Sequence, residues 1–129
     1  MPHDPRDGPP TLPPGVATVR SPTGLEFAEI AEGDGPRAET GRKVRVHYRA
    51  WLVNGLLVDD TAQRAGPVEF RIGDEEAVAA LQEGVAGMRV GGRRRLIAPS
   101  DLAYGSEGLG RTVPPYATLI FDVELVADR

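Results

Sequence analysis

Two long runs of this chain alternate apolar and polar side chains, and they limit the possible folds more than any other feature. Residues 43–53 read KVRVHYRAWLV, and their apolar face consists of Val44, Val46, Tyr48, Ala50 and Leu52. Residues 117–127 read ATLIFDVELVA and place Ala117, Leu119, Phe121, Val123 and Leu125 on one face. Successive side chains of a strand point to opposite faces, so both runs predict strands that are buried on one side.

Shorter segments complete a sheet around these two runs. Further strands are predicted at 25–30, 56–58, 68–72 and 93–98, and Asn54-Gly55 is a strong signal for a hairpin turn. Only EEAVAALQEGV, residues 75–85, predicts a helix, with Asp74 as its N-cap. The expected fold class is therefore α+β, with a twisted antiparallel sheet wrapped around one short helix. One helix cannot cover a whole sheet face, so we expect an apolar cleft between them.

Residues 1–22 differ in composition from the rest of the chain. They hold seven of the twelve prolines and few large apolar groups. Such a segment buries too little surface to offset the entropy lost on ordering, which predicts a flexible, proline-rich N-terminal tail. Residues 23–129 are predicted to form the single folded domain, since 129 residues suffice for one core.

Charge and residue counts exclude several classes of function. The net charge of −4 argues against a nucleic-acid partner and against binding to an anionic membrane. The chain contains no cysteine and two distant histidines, so neither a disulfide nor a metal site is expected. No apolar run has membrane-spanning length and no signal peptide is evident, which predicts a cytoplasmic protein.

The residue types present and their spacing argue against most kinds of catalytic site. Ser100 and Ser106 have no histidine nearby for a nucleophilic triad. Asp59 and Asp60 are adjacent on an extended segment, so they should point to opposite faces rather than form a carboxylate pair. The cluster at residues 93–95 reads RRR, but its side chains alternate and no aromatic residues are interleaved with them, which favours a solvated strand with ion pairs.

A series of motifs is more specific. The chain contains VHY at 46–48, NG at 54–55, VDDT at 58–61, GVAGMRVGG at 84–92, LAYG at 102–105 and VPPYATLIFDVEL at 113–125. In their order and spacing these motifs, over residues 23–127, resemble the FKBP family of peptidyl-prolyl cis/trans isomerases. The resemblance implies an enzyme that rotates X-Pro bonds in unfolded or partly folded proteins. It needs no cofactor, because no covalent bond is broken.

The resemblance also implies the residues of the site. The catalytic positions are Tyr48, Asp59, Tyr104 and Phe121, and the substrate-binding positions are Val58, Val68, Phe70, Glu76, Val78, Leu81, Leu109 and Val113. Tyr48 and Asp59 would form a polar edge, while the Val78 amide and the Tyr104 hydroxyl would bond substrate carbonyls. Phe70 and Phe121 would form part of the apolar wall of the cleft. For Phe70, ordinary core packing is an equally good explanation.

Four of these positions depart from the family pattern. Val58 and Val68 stand where the family often has Phe, Leu81 where Trp commonly forms the floor, and Leu109 where an aromatic or histidine is frequent. Smaller side chains offer less apolar contact, so reduced activity and weaker binding of macrolide inhibitors are expected. They also support an alternative, a catalytically weak FKBP-fold binding module that holds a proline-containing segment of a partner. In either case the resemblance implies a minimal single-domain monomer.

Overall fold

The computed structural model describes residues 8–63, 66–74 and 77–128 of the 129-residue chain. Within these ranges the chain forms seven strands and one α-helix. Their bounds are β1 (Val19–Arg20), β2 (Glu26–Ala31), β3 (Lys43–Leu52), β4 (Leu57–Asp60), β5 (Val68–Arg71), α1 (Ala79–Val85), β6 (Arg93–Ala98) and β7 (Leu119–Asp128).

The strands form one antiparallel sheet in the order β1-β2-β6-β7-β3-β4, with β5 paired to β3. Its centre is β7, where Phe121 lies opposite Leu96 of β6 and Ala50 of β3. The apolar faces predicted for β3 and β7 are buried from Val44 to Leu52 and from Leu119 to Leu125. One face of the sheet, called the inner face below, therefore carries the core, and the predicted α+β fold is confirmed.

The helix packs closely on the inner face because it presents a glycine to the sheet. A Cβ added to Gly84 would lie 2.4 Å from the nearer methyl carbon of Leu96, a distance that real side chains do not tolerate. Arg94 then fixes the end of the helix by donating to the carbonyl oxygens of Gly84 at 3.0 Å and Ala86 at 3.4 Å. Helix ends leave such carbonyls without backbone partners, and a cation is favourable beside them.

The helix begins later than the sequence predicts. Its first residue is Ala79, and Val78 at the N-cap has extended backbone angles (φ −58°, ψ 149°). Asp74 is not the N-cap, because its amide donates to the Arg71 carbonyl in a turn at the end of β5. Its carboxylate also lies 3.9 Å from the Arg71 guanidinium. Residues 75–76, the charged start of the predicted helix, lie outside the described ranges.

The described part of the N-terminal segment makes backbone contacts with the domain. Val19 and Arg20 pair with Phe27 and Glu26 at the edge of the sheet. Farther upstream, the Gly8 amide donates to the Gly55 carbonyl at 3.1 Å, in the turn between β3 and β4. The domain boundary at residue 22 and the flexibility of the segment before it stay predictions. Across the described residues, no helix is long and apolar enough to cross a lipid bilayer.

Candidate active site

A cavity of about 220 Å³ opens between the inner face of the sheet and the start of the helix. Its lining consists of Tyr48, Val68, Glu69, Phe70, Ala77, Val78, Leu81 and Tyr104. Six of these eight residues are candidate site residues from the sequence. Apart from Glu69 and the two tyrosines, the lining side chains are apolar. The cleft expected beside a single helix is therefore present.

Tyr48 forms one wall of the cavity and is held from two sides. Its hydroxyl donates to the Asp59 carboxylate at 2.7 Å, and its ring packs edge-to-face on Phe121 with the centroids 5.7 Å apart. Phe121 is fully buried beneath the ring and does not line the cavity. Asp59 and Phe121 therefore fix the orientation of Tyr48, one through its hydroxyl and the other through its ring.

The two adjacent aspartates point to opposite faces of the sheet, as the alternation predicts. Asp59 bonds Tyr48 on the inner face. Asp60 lies on the other side, 3.2 Å from the Arg49 guanidinium, and accepts from the Ala62 amide at 3.0 Å. The interpretation of this pair as an acid–base dyad is therefore excluded by geometry.

Thr61 positions Tyr48 through the backbone, a role that sequence reasoning missed. Its hydroxyl oxygen accepts from the Tyr48 amide at 3.0 Å, and it lies 3.3 Å from the Tyr48 carbonyl oxygen, to which it donates. The His47 ring nitrogen Nδ1 also lies 2.9 Å from this hydroxyl. The side chain thus continues the β3–β4 pairing where β4 ends and a 3₁₀ turn, Thr61–Gln63, begins. A threonine directly after the acidic pair is the available sequence signal.

The opposite wall comes from the segment that leads into α1. Leu81 is almost fully buried and forms the floor, and Val78 precedes the first helical residue. The Val78 carbonyl accepts from the amides of Leu81 and Gln82, whereas its own amide has no hydrogen-bond acceptor among the described residues. This N–H group therefore remains available at the cavity for a ligand carbonyl.

Tyr104 reaches the cavity from a loop folded by its own backbone bonds. Its carbonyl accepts from the Gly108 amide at 3.1 Å, and the next carbonyl, that of Gly105, accepts from the Tyr116 amide at 2.9 Å. Leu109 and Val113 exchange two backbone hydrogen bonds farther along the loop. Gly108 permits this fold, since a Cβ there would lie 2.2 Å from the Val113 oxygen.

The remaining candidates lie away from the cavity lining. Leu109 is 47% exposed at the loop, and Val113 is buried in the core. Val58 is partly buried against the core cluster, and Glu76 lies outside the described residues. Their proposed contacts with substrate stay predictions.

Two lining residues were not anticipated. Glu69 follows Val68 on β5 and should point to the opposite face of the sheet, yet it reaches the rim of the cavity. There its carboxylate lies 3.3 Å from the Lys43 ammonium and 3.2 Å from the Arg45 guanidinium. Ala77 lies in the connection that the sequence assigns to the helix. Within the described ranges, no group of three or more potential ligand side chains could hold a metal ion.

The chain is similar to known proteins over most of its length. Residues 35–126 match the family described as FKBP-type peptidyl-prolyl cis-trans isomerase, which is more than half of the chain. The chain belongs to this family. With it the predicted resemblance and enzyme class, a peptidyl-prolyl cis/trans isomerase, are confirmed.

Individual FKBP relatives extend over most of this chain. "FK506-binding protein 4" of Dictyostelium discoideum is 46% identical over 114 residues, 88% of this chain but 31% of that protein. "Peptidyl-prolyl cis-trans isomerase Fkbp12" of Drosophila melanogaster is 43% identical over 104 residues, 80% of this chain and 96% of the relative. The crystal structure of AtFKBP13 superposes with a TM-score of 0.81 at 33% identity, over 88% of this chain and 99% of that one.

Proposed function

We propose that the cleft catalyses cis/trans isomerisation of X-Pro bonds in unfolded or partly folded proteins. One observation carries the proposal: an apolar cavity is bordered by the Tyr48–Asp59 pair on one side and by the Val78 amide on the other. Such a site offers a proline ring a dry surface and offers the adjoining carbonyls hydrogen-bond donors. Its size suits a single residue with its flanking peptide groups.

Catalysis of this rotation requires no nucleophile, metal or proton carrier. The barrier is about 20 kcal/mol because rotation destroys the double-bond character of the C–N bond. The planar imide is more polar than the twisted one, so removing water favours the twisted state relative to the ground state. An apolar cavity with a few fixed donors is therefore sufficient.

The proposed roles follow from where each side chain lies. Leu81 and Phe70 contact the proline ring from the floor and wall. The Val78 amide and the Tyr104 hydroxyl donate to substrate carbonyls on either side of the rotating bond. Tyr48, held by Asp59, provides the polar edge along which the twisted imide is stabilised.

The direct test is exchange spectroscopy on a short X-Pro peptide with catalytic amounts of the protein. We expect cis and trans resonances to exchange much faster than the uncatalysed process, which takes about tens to hundreds of seconds. The Val78 amide resonance should shift as the peptide is titrated. Exchange at the uncatalysed rate, with or without a shift at Val78, would remove the catalytic proposal.

A second candidate is a binding module that uses the same cleft to hold a proline-containing segment of one partner. The observation that favours it is the aliphatic lining at Val68 and Leu81, which offers a proline ring less apolar contact area than aromatic rings would. Peptide-dependent shifts at Val78 and Tyr104 without accelerated exchange would identify this function.

The aliphatic lining of the cavity also affects the affinity for inhibitors. We propose that macrolide inhibitors bind with reduced affinity, because less apolar surface contacts them.

We further propose that the protein acts as a monomer in the cytoplasm. Its net charge of −4 opposes nucleic-acid binding. Sedimentation at several concentrations tests the monomer, and titration with a macrolide tests the affinity.

A further inference from the structure

The face of the sheet opposite the helix, called the outer face below, also carries apolar side chains. Trp51 of β3, Ile120 of β7 and Ile97 of β6 are register neighbours in one cross-strand row. The next row alternates in charge, with Asp60, Arg49, Asp122 and Arg95 on successive strands. No helix covers this face in the described ranges, yet Trp51 is only 1% exposed. A large indole on a face without a helix requires another cover.

The N-terminal segment reaches this face at two points. The buried Gly8 donates to the Gly55 carbonyl in the turn that follows Trp51, and a Cβ added to Gly8 would lie 3.4 Å from the Gly55 Cα. Pro10 then lines a cavity of about 390 Å³ together with Trp51 and His47. The segment therefore passes over the outer face beside the indole.

The length of the segment fits a crossing of the whole sheet. Gly8 lies beside the β3–β4 turn, whereas Val19 begins β1 at the opposite edge. Four strand intervals separate β3 from β1, about 19 Å at roughly 4.8 Å each. Residues 9–18 span about 31 Å in the polyproline II conformation, which leaves enough chain for the turn closed by the Val16 amide and the Pro13 carbonyl.

Over residues 9–14 the burial pattern fits a polyproline II helix, and the pattern changes at the turn, where Gly15 is exposed and Val16 is half-buried. Pro9 and Leu12 are half-buried, whereas the positions after each of them, Pro10–Thr11 and Pro13–Pro14, are exposed. A polyproline II helix has three residues per turn, so every third residue faces the same surface. The four prolines of PPTLPP restrict their backbone in advance, which reduces the entropy lost on docking.

We propose that the outer face around Trp51 and Ile120 is a binding site for a proline-rich segment in the polyproline II conformation. Its occupant is this chain's own proline-rich stretch at 9–14, which acts as a strap rather than as a free tail, with Gly8 (φ 76°) and Gly15 (φ 83°) outside the polyproline II conformation at its two ends. Aromatic side chains are the usual platform for such segments, and the constrained backbone docks at low entropic cost. The site lies on the opposite side of the sheet from the isomerase cleft, and Tyr48 borders the cavities on both sides.

The unmodified chain provides the first test. Nuclear Overhauser spectra should show contacts between the Trp51 indole protons and the side chains of Pro9 and Pro10. Trp51 is the single tryptophan, so its fluorescence reports directly on the strap. We expect blue-shifted emission and weak quenching by acrylamide. Absence of the indole–proline contacts together with strong quenching would overturn the proposal.

A release variant provides the second test. Gly8→Val is strained because Gly8 has φ 76° and a close neighbour in Gly55, and Leu12→Asp charges the buried side of the strap. The double variant should raise the quenching constant of Trp51 several-fold while the isomerisation rate stays unchanged. Thr11→Val, at an exposed strap position, is the matched control and should leave quenching as in the wild type.

A synthetic peptide GPPTLPPGV added to the release variant should restore the protection of Trp51, whereas a scrambled peptide of the same composition should not. Equal quenching in wild type, release variant and control would show that the strap does not cover the indole. Far-ultraviolet circular dichroism verifies the fold of each variant, and the spectra of the unmodified chain decide the matter if the double variant does not fold.

Discussion

At the scale of single residues, the cleft depends on which way a side chain points from its strand. Asp59 and Asp60 are neighbours in sequence, but only Asp59 reaches the inner face, where it accepts from Tyr48. Asp60 pairs with Arg49 on the outer face. The two carboxylates thus form a natural pair of test and control positions.

Asp59→Ala should lower kcat/KM for an X-Pro peptide by about ten-fold or more, since a hydrogen bond to a charged acceptor is worth about 1.5–3 kcal/mol and Tyr48 loses its orientation. Asp60→Asn should reduce the free energy of unfolding while leaving kcat/KM near the wild-type value. Peptide exchange kinetics and denaturant unfolding measure both quantities. Equal losses of activity in the two variants would refute the assigned role of Asp59.

Tyr116 carries the only positive φ of a non-glycine residue within the described ranges, at 60°. The residue is 73% exposed, so little packing compensates for a left-handed backbone that costs about 1–2 kcal/mol. Tyr116→Asn should raise the free energy of unfolding by roughly 0.5–1 kcal/mol, because asparagine tolerates this conformation. Tyr116→Ala keeps the strain and should give no gain. Identical stabilities of the Asn and Ala variants would contradict the argument.

At the scale of elements, the width of the cleft depends on how closely α1 approaches β6. Gly84 sets that approach, because the Leu96 side chain fills the space that a Cβ would need. Leu81, one turn earlier, forms the cavity floor. A displaced helix would therefore move the floor as well as weaken the core.

Gly84→Ala should destabilise the protein by about 1–3 kcal/mol through overpacking, although Gly→Ala stabilises an unhindered helix by about 1 kcal/mol. Denaturant unfolding should therefore show a lower free energy of unfolding, where the same change in an unhindered helix would raise it. Leu96→Val in the Gly84→Ala background should recover part of the loss by making room for the methyl group. If the stability losses of Gly84→Ala and Leu96→Val simply add, the contact between these two residues does not set the position of the helix.

The elements also show what the sequence predicts and what it cannot. Periodicity of two located the strands and the buried face of β3, because one-sided burial leaves a local pattern. The start of α1 was misplaced, since an aspartate such as Asp74 suits the N-cap of a helix as well as the turn after β5 in which it lies. The burial of Trp51 was not predictable from β3, because it depends on contacts with a segment about forty residues upstream. The motif resemblance, not periodicity, identified the site residues.

At the scale of the whole molecule, one sheet separates two surfaces of different character. The inner face carries the helix, the core and the isomerase cleft. The outer face carries alternating charges, Trp51 and the N-terminal strap. A substitution in the strap should therefore change the Trp51 measurements alone, whereas a substitution at Thr61, which lines the outer cavity and bonds the Tyr48 backbone, should change both measurements.

The isomerisation rate of one X-Pro peptide, measured with the wild type and with Val68→Phe, decides whether the cleft is an isomerase site. We predict catalysis by the wild type at a modest level, because smaller aliphatic side chains line the cavity. Val68→Phe should raise the rate by adding apolar contact in this lining, at a stability cost of about 1–3 kcal/mol from overpacking. A wild-type rate equal to the uncatalysed rate, with no increase in Val68→Phe, would contradict this function and leave the cleft as a binding site alone.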